Sequence, residues 1–253
     1  MEIFTAALVL FGNVWVWRVF TENLLFFVLL IFSSIFLVLS FKLKKKKPKM
    51  LFLVILFLLS MIQIRTTNIR SLTILANEDI RVKDMRLREY PPVYLSLGGK
   101  TMWIPVAHWL EDRPESIAFF RILGNMSQSI DPNYYFFANH PREKIELLNF
   151  EKFPFIMFPF FIIGTLKLVE KRYYFSFIFA FLVPIFILSI IGVDNRMGPF
   201  IVFPFIFLAT FVGLRDAREY LEVNHPSRMK LIGSIFIIFF VLNLIQIVSY
   251  QIY

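Results

Sequence analysis

Cysteine is missing altogether from the 253 residues. No disulfide can staple this chain and no zinc–thiolate site can form in it, so its redox compartment leaves no mark on the sequence. Charge is scarce as well, with Asp, Glu, Lys and Arg making up 18%. That share is too small for a disordered polyelectrolyte. Histidine is confined to His108, His140 and His225. Their wide separation offers no metal-ligand spacing, and no cofactor is implied. Alternating strand-like patterns are lacking too.

What fills the chain instead is apolar: 58% of residues are hydrophobic and the mean hydropathy is +0.68. The apolar residues gather in runs long enough to cross a bilayer, which needs about 20 residues for roughly 30 Å of hydrocarbon. Six such runs stand out, at residues 24–41, 50–64, 153–166, 173–193, 198–214 and 231–250. The second and third are short and must recruit flanking residues. Backbone groups in lipid have to be satisfied within the segment, so these runs predict helices. The expected fold class is an all-α membrane protein of about six transmembrane helices. A small mixed, mainly helical subdomain lies between the second and third.

Lysine and arginine set the expected orientation. Lys42, Lys44, Lys45, Lys46, Lys47 and Lys49 crowd the connection between the first two runs. Carrying one of them through the bilayer centre costs roughly 2.5–3.5 kcal/mol, which predicts that this connection stays cytoplasmic. Residues 65–152 then fall outside, with 12 basic and 11 acidic side chains. The net charge of +9 is thus an orientation signal rather than a sign of nucleic-acid binding. Four parts follow: residues 1–23, a transmembrane hairpin at 24–64, an extracytoplasmic subdomain at 65–152 and a four-helix transmembrane bundle at 153–253. The first part is apolar, with Trp15, Trp17 and Arg18 near one end. Strict alternation makes it an interfacial or re-entrant segment; the rival is an additional span with the N-terminus inside.

Two stretches echo each other. Pro154-Phe155-Ile156-Met157-Phe158-Pro159-Phe160 recurs as Pro199-Phe200-Ile201-Val202-Phe203-Pro204-Phe205, with Thr165 and Thr210 equally far beyond. The first proline of each suits a helix start, and the second is expected to kink the helix one turn in.

In the subdomain, residues 66–87 carry charge and spaced apolar residues that suit an amphipathic helix, with Ile69, Leu72, Ile80, Met85 and Leu87 on its buried side. Gly98-Gly99 predicts a turn, and residues 112–124 a second helix with Pro114 early in it. Tyr134-Tyr135-Phe136-Phe137 suits an interfacial anchor or the wall of a groove for a lipid or sugar. His140 with Arg142 and Glu143 fits a solvated turn, or a site that binds phosphate or moves a proton. Asn125-Met126-Ser127 is a glycosylation triplet of a kind common by chance.

The turn at Asp194-Asn195-Arg196 is the charged point between two apolar runs. An arginine there can hold a phosphate at headgroup depth by bidentate bonding, or it can snorkel and satisfy the turn.

The order of these features resembles the C-terminal half of bacterial membrane glycosyltransferases of the GT-C type, akin to protein mannosyltransferases and aminoarabinose transferases. The features are Asp131-Pro132-Asn133-Tyr134-Tyr135-Phe136-Phe137, the run from Phe153 to Gly164, a basic turn, Pro184, the Asp194-Asn195-Arg196 turn and the span to Gly213-Leu214. The resemblance implies an outward-facing site that takes a sugar from a polyprenyl-phosphate carrier. It assigns the carrier phosphate to Arg196, Asn195 and Asp194, and the groove wall to Tyr134, Tyr135, His140 and Arg142. The family also keeps an acidic residue or pair in its first outer loop, because an acceptor hydroxyl is a poor nucleophile until a carboxylate takes its proton. Only Glu2 and Glu22 precede the first firm run here, and Glu78-Asp79 and Glu111-Asp112 lie elsewhere. The implied protein is therefore an inner-membrane component of the cell envelope that lacks a complete catalytic site. It is half of a split enzyme, a remnant or a carrier-binding module, with membrane lipid and another membrane subunit as partners. The competing expectation is a scaffold whose outer subdomain docks another envelope protein.

Overall fold

The structure, a computed structural model, describes residues 2–43, 46–69, 71–75, 77–89, 93–104, 113–137, 151–170 and 174–252. It is mainly helical. Helices α1 (Glu2–Phe11) and α2 (Val14–Glu22) precede α3 (Leu24–Leu43) and α4 (Lys46–Thr66). Then come α5 (Asn77–Glu89), strands β1 (Val93–Leu97) and β2 (Lys100–Ile104), α6 (Pro114–Ile130) and α7 (Pro132–Phe136). The last four helices are α8 (Phe158–Glu170), α9 (Tyr174–Ile191), α10 (Phe203–Asn224) and α11 (Pro226–Ile252). Among the described residues four helices are long and apolar enough to cross a membrane, and a fifth crossing results if the bent pair α1–α2 counts as one. This agrees with an all-α membrane protein.

The bundle has two distinct ends. At one, the lysine end, Lys42 in the last turn of α3 pairs with Glu2, and Phe41 packs edge-on to Phe177 at the start of α9. At the other, far end, Arg18 donates to the carbonyl of Arg196 at 2.7 Å. The segment from Glu2 to Arg18 therefore runs alongside α3 from one of its ends to the other. Residues 1–23 are expected first to form an interfacial or re-entrant segment. The observed pair is bent, a shape that fits both the re-entrant segment and the rival, an additional broken span. Its bend of 62° is built by Asn13. The buried Asn13 amide donates to the carbonyls of Val9 and Leu10 at the end of α1, and its oxygen accepts from Val16 N–H at the start of α2. One side chain thus satisfies orphan groups of two helix ends at once.

The repeated proline segments adopt one local structure twice. Residues 155–157 and 200–202 each form a 3-10 turn, and an α-helix starts at Phe158 and at Phe203. Pro159 and Pro204 are expected to kink their helices, but each is the second residue of its helix. The missing N–H would be unpaired there in any case, so no kink is needed. The two helices cross in direct backbone contact. A Cβ on Gly164 would lie 1.7 Å from the carbonyl oxygen of Ala209, and one on Gly213 would lie 1.8 Å from that of Phe160. Small residues that let backbones touch are what helix pairs in lipid use, since apolar side chains gain nothing by leaving hydrocarbon.

Beyond Thr66, the end of α4, none of the described residues is helical until α5 begins at Asn77. Ile69, Ile80 and Met85, expected on a buried side, are 53%, 39% and 61% exposed. The periodicity is present, but among the described residues no element covers these three side chains. The Gly98-Gly99 turn is found, with both φ angles positive at 60° and 80°, closing an antiparallel hairpin that pairs Leu97 with Lys100. The second helix, expected over 112–124, starts at Pro114 and runs on to Ile130. Asn125 of the glycosylation triplet donates to the carbonyl of Ser189 on α9, so its amide is tied to the bundle.

Candidate functional site

The far end is organised around the turn at 192–198. Every carbonyl from residue 193 to 198 has a donor. Tyr134 Oη reaches Val193, Asn68 N–H reaches Asp194, and Gly198 N–H reaches Asn195. Arg18 reaches Arg196, the Trp15 indole N–H reaches Met197 at 2.6 Å, and Gln63 reaches Gly198 at 3.4 Å. Helices α2, α4 and α7 thus clamp one short loop. Gly198 is required by the clamp: its φ is +69°, and a Cβ there would sit 3.1 Å from Lys152 Cε and 3.3 Å from Trp15 Nε1.

The three residues of the turn point in different directions. Asn195 is 3% exposed and faces inward. Its amide donates to Thr66 Oγ1 at 2.8 Å and Thr67 Oγ1 at 3.3 Å, while its oxygen accepts from Met197 N–H. With those groups engaged, Asn195 holds the loop and is no ligand for a phosphate. Asp194 lines a cleft of about 480 Å³ together with Asn68, Arg121, Asn125 and Gln128. Arg196 is exposed and lines a different cleft of about 300 Å³ with Glu22, Asn23 and Thr66. Arg18 lies near enough for its charge to be felt against that of Arg196. Arg196 and Glu22 therefore share one rim, and the charge of Arg18 is felt beside both.

The sequence pattern makes Tyr134 and Tyr135 an interfacial anchor or a groove wall. They are neither: they are 9% and 3% exposed, and Phe136 is 0%. The Tyr135 hydroxyl donates to Ser129 O at 2.7 Å, and burial pushes both phenol groups well above their ordinary range. Their rings belong to a core around Trp15, which meets Tyr135, Phe153 and Phe203 at centroid distances of 5.7, 6.0 and 5.4 Å. His140, Arg142 and Glu143 lie outside the described residues.

Two charged side chains that sequence reasoning missed are buried here. Lys152 is 0% exposed; its ammonium donates to Tyr134 O at 3.0 Å and sits 3.5 Å from the Tyr134 ring centroid. Burial pushes its pKa well below that of a free lysine. Glu151 is 7% exposed and accepts from Phe155 N–H. Burial raises its carboxyl to about 7, with that hydrogen bond opposing. The hint in the sequence was position alone, since Glu151-Lys152 directly precedes an apolar run. Among the described residues no group of three or more His, Cys, Asp or Glu is placed to hold a metal.

Compared with protein-family models, with curated proteins and with solved structures, the chain matches none of them.

Proposed function

We propose that this chain is a multi-pass protein of the bacterial cytoplasmic membrane that holds a lipid-linked phosphate at its outer face. The lysine end would lie in the cytoplasm and residues 65–152 outside. The six expected crossings become seven when α1–α2 is taken as a broken span. The observation that carries the reading is the clamped loop. Its backbone is fixed by three helices, and it leaves the Arg196 guanidinium exposed beside Arg18 at the end opposite the lysines. A phosphate between two like charges offsets their repulsion and accepts the planar forks that arginine presents. This geometry supports Arg196 as the phosphate ligand, with Arg18 in place of Asn195.

The carrier fitting this reading is a polyprenyl-phosphate-linked sugar, as the GT-C resemblance implies. Asp194 lines the neighbouring polar cleft, but no paired carboxylates stand where that family keeps its base. The chain then binds a carrier without completing the reaction alone, and another membrane subunit would supply the rest. The test is binding of a polyprenyl phosphate to the purified protein in detergent. Arg196→Ala should weaken it at least tenfold, as loss of a hydrogen bond to a charged group of roughly 1.5–3 kcal/mol implies. Unchanged affinity would remove Arg196 from the site.

A second reading, a scaffold for another envelope protein, is favoured by the hairpin. Tyr94, Leu97 and Met102 are 67%, 65% and 52% exposed on it, and two strands alone are marginally stable in water. Co-purification of a stoichiometric protein with no bound lipid would favour this reading over the first.

A further inference from the structure

A cleft of about 430 Å³ opens at the lysine end, between α1, α3, α8 and α10. Its floor is hydrocarbon: Ala6, Val38, Leu168, Leu208 and Phe211. Its mouth is ionic, formed by Glu2, Lys42 and Arg215. We propose that the cleft is an anionic-phospholipid site, taking one acyl chain on the apolar floor and the phosphate at Lys42 and Arg215.

Three physical points lead there. Water has no reason to fill the floor, because a bound water needs two or more polar partners and these five side chains offer none. In a bilayer the solvent at that depth is acyl chain, so a lipid is the occupant at hand. The mouth then decides which lipid. Lys42 pairs with Glu2 at side-chain exposures of 57% and 48%, and so exposed an ion pair contributes little. Exchanging Glu2 for a phosphate thus costs little. Arg215 is 26% exposed and held by Asp216 and Glu219, which aim its fork without filling all five of its N–H donors. Beyond Lys42 the sequence from 42 to 49 adds five more lysines and no acid. That excess attracts an anionic headgroup over a zwitterionic one.

The inference rests on the helices lying in a bilayer and is separate from the Arg196 site at the far end. Native mass spectrometry of the full chain in detergent tests it, with phosphatidylglycerol and phosphatidylcholine of identical acyl chains supplied in equal amounts. Phosphatidylglycerol should be retained with a preference on the order of tenfold, as two nearby cations supply. The combined variant Lys42→Gln and Arg215→Gln should lower the ratio by at least about threefold, while Arg196→Gln should leave it unchanged. Ala6→Leu narrows the floor and should reduce retention of both lipids. Both glutamine changes are at the partly exposed mouth, so they remain a test if Ala6→Leu fails to fold. Equal retention by the wild type, or a preference undiminished by the double change, overturns the proposal. Displacement of phosphatidylglycerol by inorganic phosphate alone also overturns it, because the site would then read phosphate without lipid.

Discussion

Glu151 shows how burial can turn one carboxyl into a pH sensor of stability. An unfolded glutamate titrates near 4.3, whereas burial raises this one to about 7. The folded chain then binds the proton more tightly than the unfolded chain. Its stability is greatest below the unfolded pKa and declines as pH rises toward 7. Glu151→Gln keeps an oxygen for Phe155 N–H and removes the titration. The variant should therefore gain on the wild type between pH 5 and 8, by as much as about 3 kcal/mol at the upper limit. Thermal unfolding in detergent across that range checks it, and a pH-independent difference between the two proteins would refute it. Taking the difference cancels the neighbouring Lys152, whose depressed pKa acts in the opposite sense. None of this is legible in the chain, where Glu151-Lys152 looks like a solvated pair flanking an apolar run. Which charges are buried depends on Trp15 and Gly198, distant in sequence, closing over them.

At the scale of elements, the crossing of α8 and α10 is the most exacting contact. The Cβ of an alanine at Gly164 or Gly213 would stand 1.7 or 1.8 Å from a backbone oxygen, and a backbone cannot swing aside as a long side chain can. Either substitution must force the helices apart. Each should abolish the monodisperse peak on size exclusion. Gly233→Ala, with nothing within 4 Å of the added carbon, should elute as the wild type does. That long apolar helices fill the chain and that matched prolines open two of them could be read from sequence, because hydrophobicity and proline act locally. The contact between the two glycines could not be, since each lies in an ordinary apolar stretch. The amphipathic pattern of α5 misled for the opposite reason. A stripe of Ile and Met becomes a buried face only if another element comes to cover it.

For the whole molecule, sidedness is the quantity to measure, and the absence of cysteine makes it easy to do so. Single cysteines at Lys100, Lys46 and Glu2 can be exposed to a membrane-impermeant thiol reagent on intact cells. Lys100→Cys should react at once; Lys46→Cys and Glu2→Cys should react only after permeabilisation. Reaction of Glu2→Cys in intact cells would make α1–α2 a re-entrant loop rather than a span, and protection of Lys100→Cys would invert the whole arrangement. The pairing of Glu2 with Lys42 sets the expectation for the N-terminus.

The sequence by itself determined that the chain is helical, apolar in bands and basic at one connection, because those properties follow from composition taken a few residues at a time. Only the tertiary structure decided that Asn195 holds the loop while Arg196 is left exposed, and that two tyrosines belong to the core. Hydrogen-bond partners 59 to 182 residues away make those choices, and no local pattern encodes them.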